Sequence, residues 1–307
     1  MSLPPNKTFE EYFEESVSFF ETYQFLYNSP NTDVLINGSL DKINIDNLEE
    51  KNVFDENYKI TEDQDEFFKT FFDKSSKLMV NYGEFEGSCE EVVDVPVSDK
   101  KRHEITYLTK EIIDVCTANG CDTIVDFGAG LGYLDQFLHQ RTNYKVLGIE
   151  SNSNHYIGAK KRQKKYHMDS ADRVKYLKHT INEDSHTKIQ ESLVEKFPEA
   201  NKFCITGLHA CADLTVTAIN LFSKMAAAKS MVLIPCCYHL MSKENSRFKN
   251  FPLSRSLKKI VEERNCYGYL GIPFLRLGAH PQDLNGSLED MVFKLLVRAV
   301  LQLYANN

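Results

Sequence analysis

The sequence lacks several features that would assign it to a particular class of protein. It has no Trp, and its first residues, MSLPPNKTFEEYFEE, contain no basic segment followed by an apolar one, as a secretory signal would. No apolar run reaches the ~18 residues that a bilayer-spanning helix needs. The eight cysteines follow no repeating framework, so we expect reduced thiols. These absences predict a soluble intracellular protein, cytoplasmic or nuclear, without a membrane partner.

Arginine is absent from the first 100 residues, and this part of the chain is strongly acidic. It contains 8 Lys and 23 Asp or Glu, a net charge of −15, whereas the remainder of the 307 residues carries +7. Because residues 83–100 are rich in acids, Gly and Pro, we predict an acidic, mainly helical region at 1–95 and a second domain at 96–307. The basic domain favours contact with nucleic acid and the acidic region a protein partner, although two ordinary solvated surfaces would show the same split.

The acidic region contains two helical patterns. In residues 8–28, TFEEYFEESVSFFETYQFLYN, aromatic and aliphatic side chains recur every three or four positions, and Thr8 is suited to cap the helix. Residues 62–83 show a second pattern of this kind. Aromatic stripes at helical spacing are typical of a packed core, so we assign these helices a structural role.

After residue 100 the pattern changes to an alternation of helices and short apolar strands. The first helix ends at Asn119–Gly120, which is a typical C-cap. The predicted strands are DTIVDFG, YKVLGIES, DRVKYLKHT, KFCITGLHA and KSMVLIPCC, each separated from the next by a helical segment. This order predicts an α/β fold with a parallel sheet and helices on both faces, in which ligands bind at the carboxyl ends of the strands.

A glycine loop follows the first strand in the stretch VDFGAGLG at 125–132. Its spacing, Gly128-x-Gly130-x-Gly132, allows a ligand to approach the backbone at the start of a helix. Asp126 would repel a pyrophosphate but attract an ammonium group, and Glu150 at the end of the second strand is placed for ribose hydroxyls. The set therefore favours S-adenosylmethionine over a dinucleotide or a purely structural turn.

Polar side chains also follow the fourth and fifth strands. The stretch GLHACADL carries His209, Cys211 and Asp213, and PCCYHL carries Cys236 and Cys237 with Tyr238 and His239. One hypothesis makes a histidine the general base, oriented by Asp213. A second makes Cys211, Cys237, His209 and His239 the four ligands of a tetrahedral zinc ion. A third treats them as ordinary core thiols and satisfied histidines. The spacing leaves open whether Cys211, Cys236 and Cys237 bind a metal.

These motifs resemble those of the methyltransferase-like protein 25 family. The resemblance covers residues 95–304 and is carried by KKRHEI, VDFGAGLGYL, GIES, GLHACADL and CCYHLM; a more distant similarity is to tRNA 2′-O-methyltransferases. It implies a class I, Rossmann-like methyltransferase fold, with Lys101, His103 and Glu104 covering the cofactor. The candidate cofactor-binding residues are Lys101, His103, Asp126, Gly128, Ala129, Gly130, Gly132, Glu150 and Ser151.

The sequence after Cys237 shows no clear pair of strands, so we expect that the final β-hairpin of such a sheet can be missing. The predicted function is S-adenosylmethionine-dependent methylation of RNA, with phosphates bound by the basic helix at Lys160–Lys165. The candidate residues on the substrate side are His209, Asp213, Tyr238 and His239. Methylation of a basic protein through the acidic region and a catalytically impaired scaffold are the alternatives.

Overall fold

The computed structural model describes residues 2–43, 66–81, 97–278 and 288–306. The chain divides into two compact units. The helical unit comprises Met1–Phe85 and Lys243–Asn307, and the sheet unit comprises Glu86–Ser242. The domain boundary predicted at 95/96 lies outside the described residues. The predicted second domain, 96–307, is longer than the sheet unit, because the last 65 residues, 243–307, group with the N-terminal part of the chain.

The sheet unit contains five strands and five helices among its described residues. The strands are β1 (Thr123–Phe127), β2 (Lys145–Glu150), β3 (Val174–Lys178), β4 (Phe203–Cys211) and β5 (Ala228–Cys236). The helices are α3 (Asp99–Asn119), α4 (Tyr133–Arg141), α5 (Ser153–Tyr166), α6 (Ser185–Lys196) and α7 (Asp213–Lys224). All strand pairs are parallel, in the order β3-β2-β1-β4-β5. The predicted Rossmann-like α/β fold is confirmed.

The sheet is covered on both faces, which explains why its strands read as continuous apolar runs. Every residue of β1 is buried. Ile124 and Val125 are adjacent residues of β1 but belong to two separate apolar clusters, since successive strand residues point to opposite faces. The first cluster includes Ile105 and Ile112 of α3, and the second includes Ile189 of α6 and residues of α7. The carboxyl ends of β1 and β2 are buried, whereas His209 and Cys211 at the end of β4 are exposed.

Local signals define the limits of α3, the helix that precedes the sheet. The Ser98 hydroxyl accepts a hydrogen bond from the Lys101 backbone N–H at its beginning. At its end Gly120 adopts the left-handed conformation with φ of 65°. The C-cap predicted at Asn119–Gly120 is therefore confirmed. The Ser98 cap fixes the beginning of α3, which carries Lys101 in its first turn and Glu104 in its second.

β5 is an edge strand of the sheet in the described part of the chain. The two short strands that follow it, β6 (Lys243–Glu244) and β7 (Arg247–Phe248), pair only with each other, as an antiparallel hairpin. Among the described residues no strand extends the sheet beyond β5. This agrees with the expectation that the final hairpin of the parallel sheet can be missing.

The helical unit contains five helices in its described part: α1 (Phe9–Thr22), α2 (Glu66–Leu78), α8 (Arg255–Glu263), α9 (Ile272–Leu277) and α10 (Leu288–Ala305). The predicted Thr8 cap is confirmed, since Thr8 and Glu11 form a reciprocal capping box. Val17 of α1 packs with Ile260 and Val261 of α8 in one apolar cluster. None of the described helices combines the length and the apolar composition needed to cross a membrane.

Candidate functional site

The glycine loop connects β1 to α4 and is tied to the neighbouring strand. The backbone N–H groups of Gly128 and Ala129 both donate to the Ile149 carbonyl of β2, at 2.9 and 3.1 Å. Gly132, with φ of 73°, begins α4, and a Cβ at this position would collide with the Tyr176 hydroxyl. Glycine is therefore required at 132 by both backbone conformation and space. The loop adopts one defined shape at the carboxyl end of β1.

Glu150 lies beside this loop at the end of β2, as the sequence predicted. Its Oε2 accepts from the Gly130 N–H at 2.8 Å, and its Oε1 accepts from the Asn152 N–H at 2.6 Å. The residue is 7% exposed, so the carboxylate is held by the backbone rather than by solvent. A carboxylate has about four acceptor sites, and Glu150 therefore keeps capacity for two further hydroxyl donors. The adjacent Ser151 is exposed.

Two buried carboxyl groups lie behind the loop, on Asp126 of β1 and Asp135 of α4. Burial raises the pKa of Asp126 to about 7, and the negative charge of Glu150 adds to this effect. Burial and the charge of Asp126 raise the pKa of Asp135 well above its usual range. The two carboxyls therefore interact electrostatically, and within the described residues neither Asp135 oxygen has a hydrogen-bond partner. Burial and the charge of Asp126 both favour the protonated form of Asp135.

Asp135 was not identified from the sequence, although a signal was present. It occupies a position within the apolar stripe of α4, YLDQFL, where a buried acid needs a partner. Space for its carboxyl comes from Gly148 of β2, where a Cβ would lie 2.6 Å from Asp135 Oδ2. Asp126 itself is 2% exposed and was predicted to face the ligand directly. Its carboxyl interacts with that of Asp135, and a contact between Asp126 and the cofactor stays a prediction.

The two other candidates from α3 pack on aromatic rings. Lys101 Nζ lies 5.3 Å from the centroid of the Tyr133 ring, at the start of α4. Its positive charge partly offsets the rise in the pKa of Asp126 that burial causes. The His103 ring is exposed and lies 4.3 Å, centroid to centroid, from Tyr107. Lys101 is thus close to the loop and its acids, whereas His103 packs against a ring of its own helix.

His209 has a strained position near the end of β4. The pairing of β4 with β5 shifts register between Leu208 and Ala210, which makes His209 an extra residue in the strand. Its φ of 62° lies in the left-handed region, which is uncommon for a residue other than glycine. Bulges and strained residues of this kind concentrate at functional sites, where they redirect a side chain.

The redirected histidine pairs with an acid of α3. His209 Nε2 lies 2.9 Å from Glu104 Oε2, and Lys100 Nζ lies 3.7 Å from the other Glu104 oxygen. From the sequence, Asp213 was expected to orient the histidine. Asp213 Oδ2 instead accepts from the Ser242 backbone N–H at 2.7 Å, at the far end of the segment that follows β5. The bulge explains the difference, because an inserted residue changes the direction in which His209 points.

The end of β5 brings three thiols together. The Sγ atoms of Cys211, Cys236 and Cys237 all lie within 4.8 Å of one another. Cys237 adopts the left-handed conformation and is followed by a single helical turn, Tyr238–Leu240. The Tyr238 hydroxyl donates to the Pro235 carbonyl at 3.4 Å. The Nδ1 atom of His239 is buried, and within the described residues it has no hydrogen-bond partner.

The five cations of the basic helix α5 form two groups, one partly buried and the other exposed. The Arg162 guanidinium stacks on the Tyr133 ring at 4.0 Å and is partly buried. The four exposed cations are Lys160, Lys161, Lys164 and Lys165. An open groove of about 600 Å³ runs along this face and is lined by lysines together with Tyr156, Ile157 and Met168. Arg162 therefore has a packing role, and the lysines present the charge.

Comparison with known proteins defines the class of the sheet unit. Residues 100–244 match the family model described as "Methyltransferase domain". A solved geranyl diphosphate methyltransferase in complex with SAM has a TM-score of 0.33 and 16% identity, covering 56% of this chain and 63% of that one. Over residues 100–244 the sheet unit is therefore similar to a methyltransferase domain, and its parallel sheet agrees with that class of fold.

Two curated relatives specify the family further. The mouse "Probable methyltransferase-like protein 25" is 35% identical over 69 residues, which is 22% of this chain and 12% of the relative. The human protein of the same name is 35% identical over 66 residues, 22% of this chain and 11% of the relative. The matched stretch thus spans about a ninth of those proteins. Over that stretch the resemblance to the methyltransferase-like protein 25 family is confirmed.

Proposed function

We propose that this protein transfers the methyl group of S-adenosylmethionine to RNA. The observation that carries the proposal is the hydrogen bond from the Gly130 N–H to Glu150, which joins the glycine loop and the acid of β2 into one site. When bound, the cofactor supplies an electrophilic methyl group on a sulfonium. The protein then has two tasks, which are to align an acceptor atom with that methyl group and to remove its proton.

The residues of the loop fit this cofactor better than a dinucleotide. Glu150 would accept from the ribose hydroxyls with its remaining lone pairs. The Glu150 carboxylate lies beside the loop, and the raised pKa values of Asp126 and Asp135 limit the further negative charge behind it. Negative charge at this position suits a cationic amino group and opposes a pyrophosphate. We assign Gly128, Ala129, Gly130 and Gly132 to backbone contacts with the cofactor.

His209 is the proposed general base. A carboxylate only accepts hydrogen bonds, so the contact with Glu104 Oε2 requires the proton of a neutral His209 to be on Nε2. Nδ1 then carries the lone pair and accepts the proton that the acceptor atom loses. Glu104 stabilises the resulting imidazolium, as a buried acid does for other catalytic histidines. Glu104 is suited to this role because its side chain is only 17% exposed.

We assign the remaining candidates to the substrate side of the strand ends. Asp213 holds the Ser242 backbone and so fixes the end of the segment after β5. Tyr238 and His239 lie in that segment, in the turn that directly follows Cys237. These two side chains would contact the acceptor rather than the cofactor.

RNA is the proposed acceptor because of the face of α5. Four exposed lysines within six residues supply charge for phosphates, and Tyr156 and Met168 in the same groove supply apolar surface for bases. The Lys165 ammonium also lies 4.8 Å from the centroid of the exposed Tyr166 ring. Three of these lysines and the Tyr156 ring line the groove, and cations beside an aromatic ring are typical of surfaces that bind single-stranded nucleic acid.

Calorimetric titration with S-adenosylmethionine tests the cofactor site. Glu150→Ala removes the acceptors of Gly130 and of the ribose, so we expect the Kd to rise about 10- to 100-fold. Glu183→Ala, which removes an exposed acid of the same unit, is the control and should leave the Kd unchanged. Equal affinities in the two variants would refute the assignment of Glu150.

Transfer of a radiolabelled methyl group then tests the acceptor. The purified chain is incubated with labelled cofactor and either total RNA or a protein extract, and the products are treated with ribonuclease or protease. We expect label that ribonuclease releases. Label that only protease releases would replace RNA by a protein acceptor, and cofactor binding without any transfer would favour the scaffold alternative.

A further inference from the structure

Three cysteines at the ends of β4 and β5 form a cluster that the proposed methyl transfer does not use. Cys211 and Cys236 are register partners on the two parallel strands, and their Sγ atoms are 3.1 Å apart. Cys237 Sγ lies within 4.8 Å of both. Cys211 is exposed, and the other two are partly buried, so the cluster is open to small solutes.

The backbone is specifically shaped to bring these thiols together. Consecutive side chains of an extended strand point to opposite faces, so Cys236 and Cys237 would normally diverge. The left-handed conformation of Cys237, with φ of 52°, breaks this alternation. Across the gap the Ala212 N–H donates to the Cys236 carbonyl at 3.0 Å, and Ala212 also has a positive φ of 48°. Two strained residues in one cluster have an energetic cost, which a bound ligand would offset.

The spacing of the sulfur atoms suits a tetrahedral thiophilic ion. Zinc–thiolate bonds of about 2.3 Å place the sulfurs of a tetrahedral site about 3.8 Å apart. The observed separations, from 3.1 Å to at most 4.8 Å, bracket this value. A disulfide needs about 2.05 Å, so the closest pair is not bonded. Small side-chain rotations would bring all three sulfurs into the tetrahedral arrangement.

We propose that Cys211, Cys236 and Cys237 bind one zinc ion as three thiolates. Binding converts three S–H groups into three metal–sulfur bonds and releases three protons to solvent, without any change of oxidation state. Among the described residues no fourth His, Cys, Asp or Glu ligand atom lies within 4.8 Å of all three sulfurs. The fourth coordination position is therefore open to water or to another small ligand, as in sites with three protein ligands.

The ion would fix the strand ends that carry the candidate catalytic residues. Cys211 is two residues after His209 and two before Asp213, and Cys237 directly precedes Tyr238. An ion that joins β4 to the segment after β5 would restrain both of these segments. It also offsets the weak edge of the sheet, since among the described residues no strand pairs with the outer side of β5.

Cobalt and zinc alone, added to the full chain, test the site. The chain is reduced, freed of metal with a chelator and titrated with Co²⁺ while its absorption spectrum is recorded. We expect about one Co²⁺ per chain, with a thiolate-to-metal charge-transfer band and the intense visible bands of tetrahedral Co²⁺, both abolished by Zn²⁺. Cys211→Ala, Cys236→Ala and Cys237→Ala should each weaken binding severely and remove part of the charge-transfer intensity.

Cys204→Ala is the matched control, because Cys204 is a buried thiol on the same strand. Should that variant not fold, Cys266→Ala in the helical unit replaces it. The control should bind cobalt like the unaltered chain. A folded, reduced chain that binds no metal would overturn the proposal, as would binding that survives the loss of all three thiols. Formation of a Cys211–Cys236 disulfide in a chain that rejects metal would likewise overturn it and identify a redox pair.

Discussion

The sheet has two pairs of neighbouring strand ends, those of β1 and β2 and those of β4 and β5. Both pairs are followed by or contain residues with positive φ, but the residue types differ. At the first pair, the left-handed turns are made by Gly128, Gly130 and Gly132. At the second pair they are made by His209, Ala212 and Cys237, which have side chains. Glycine adopts such conformations without steric cost, whereas other residues are destabilised there by about 1–3 kcal/mol.

This difference distinguishes two kinds of site. The glycine loop is relaxed and hydrogen-bonded to Ile149 and Glu150, so it provides a preformed backbone surface for a ligand. At the ends of β4 and β5 the residues with positive φ include His209 and Cys237, so strain accompanies the positions of an imidazole and a thiol. In the proposed function, the first pair of strand ends binds the cofactor, and the second pair carries the general base and the proposed metal ligands. Substitutions at each pair of strand ends test whether this contrast holds.

The largest effect is expected from His209→Gly. Removal of the imidazole should lower the methyl-transfer rate about 10²- to 10⁴-fold, which is the contribution of a positioned general base. Stability should increase by about 1 kcal/mol, because glycine tolerates the φ of 62°. Single-turnover kinetics and urea unfolding measure the two effects. His179→Gly, in the same unit, controls for loss of an imidazole. A variant that is less stable and fully active would contradict both parts.

The reverse experiment applies to the glycine loop. Gly132→Ala introduces a Cβ that collides with the Tyr176 hydroxyl at a φ of 73°. We expect a loss of about 2–4 kcal/mol in the free energy of unfolding, from overpacking and backbone strain together. Gly268→Ala is the control, since no atom lies within 4 Å of its added Cβ. Urea unfolding that shows equal changes in the two variants would remove the distinction between the strand ends.

The buried pair of acids predicts a dependence of stability on pH. The pKa of Asp135 is raised well above its ordinary value of 3.8, so the folded chain retains a proton that the unfolded chain loses. Stability from this group is thus greatest at low pH and falls as the pH rises towards its folded pKa. Asp135→Asn keeps the size of the side chain but cannot titrate.

Between pH 5 and pH 7 the unaltered chain should therefore lose stability relative to Asp135→Asn. The change is at most about 2.7 kcal/mol, since each pH unit contributes at most about 1.4 kcal/mol. Unfolding free energies at the two pH values provide the comparison. Asp172→Asn, at an exposed position, controls for the loss of one charge. A difference that is constant with pH, or that has the opposite sign, would exclude a raised pKa of Asp135 in the folded chain.

The smallest effect per residue is expected from substitutions on α5, the helix that follows β2, and it concerns the affinity for RNA. Simultaneous replacement of its four exposed lysines by Ala should weaken RNA binding and reduce the salt dependence, by about 0.7 in log–log slope for each phosphate interaction that is removed. The substituted residues are Lys160, Lys161, Lys164 and Lys165. Arg162→Ala should lower stability instead, because that guanidinium packs on Tyr133.

A matched set of lysines elsewhere in the sheet unit provides the control for net charge. The control residues are Lys188, Lys202, Lys224 and Lys229, all exposed. Binding is measured by fluorescence anisotropy of a labelled single-stranded RNA at several salt concentrations. If the two quadruple variants lose the same affinity, α5 has no special role and the attraction is that of the overall charge.

The secondary-structure elements and their order follow from the sequence alone. The alternation of apolar strands and helices, the Gly120 cap and the position of Glu150 after β2 all depend on local patterns, and local patterns are encoded within a few residues. Because parallel strands end at the same edge of the sheet, the sequence also indicated which residues would gather there. The cofactor loop was predicted for this reason.

Which of those residues contact one another depends on tertiary packing. The His209–Glu104 pair spans 105 positions and depends on a bulge whose register is set by β5. The Asp126–Asp135 pair needs the space left by Gly148 on another strand. The thiols converge because Cys237 departs from extended geometry. Each of these contacts arises from packing between distant segments, which no periodicity along the chain records.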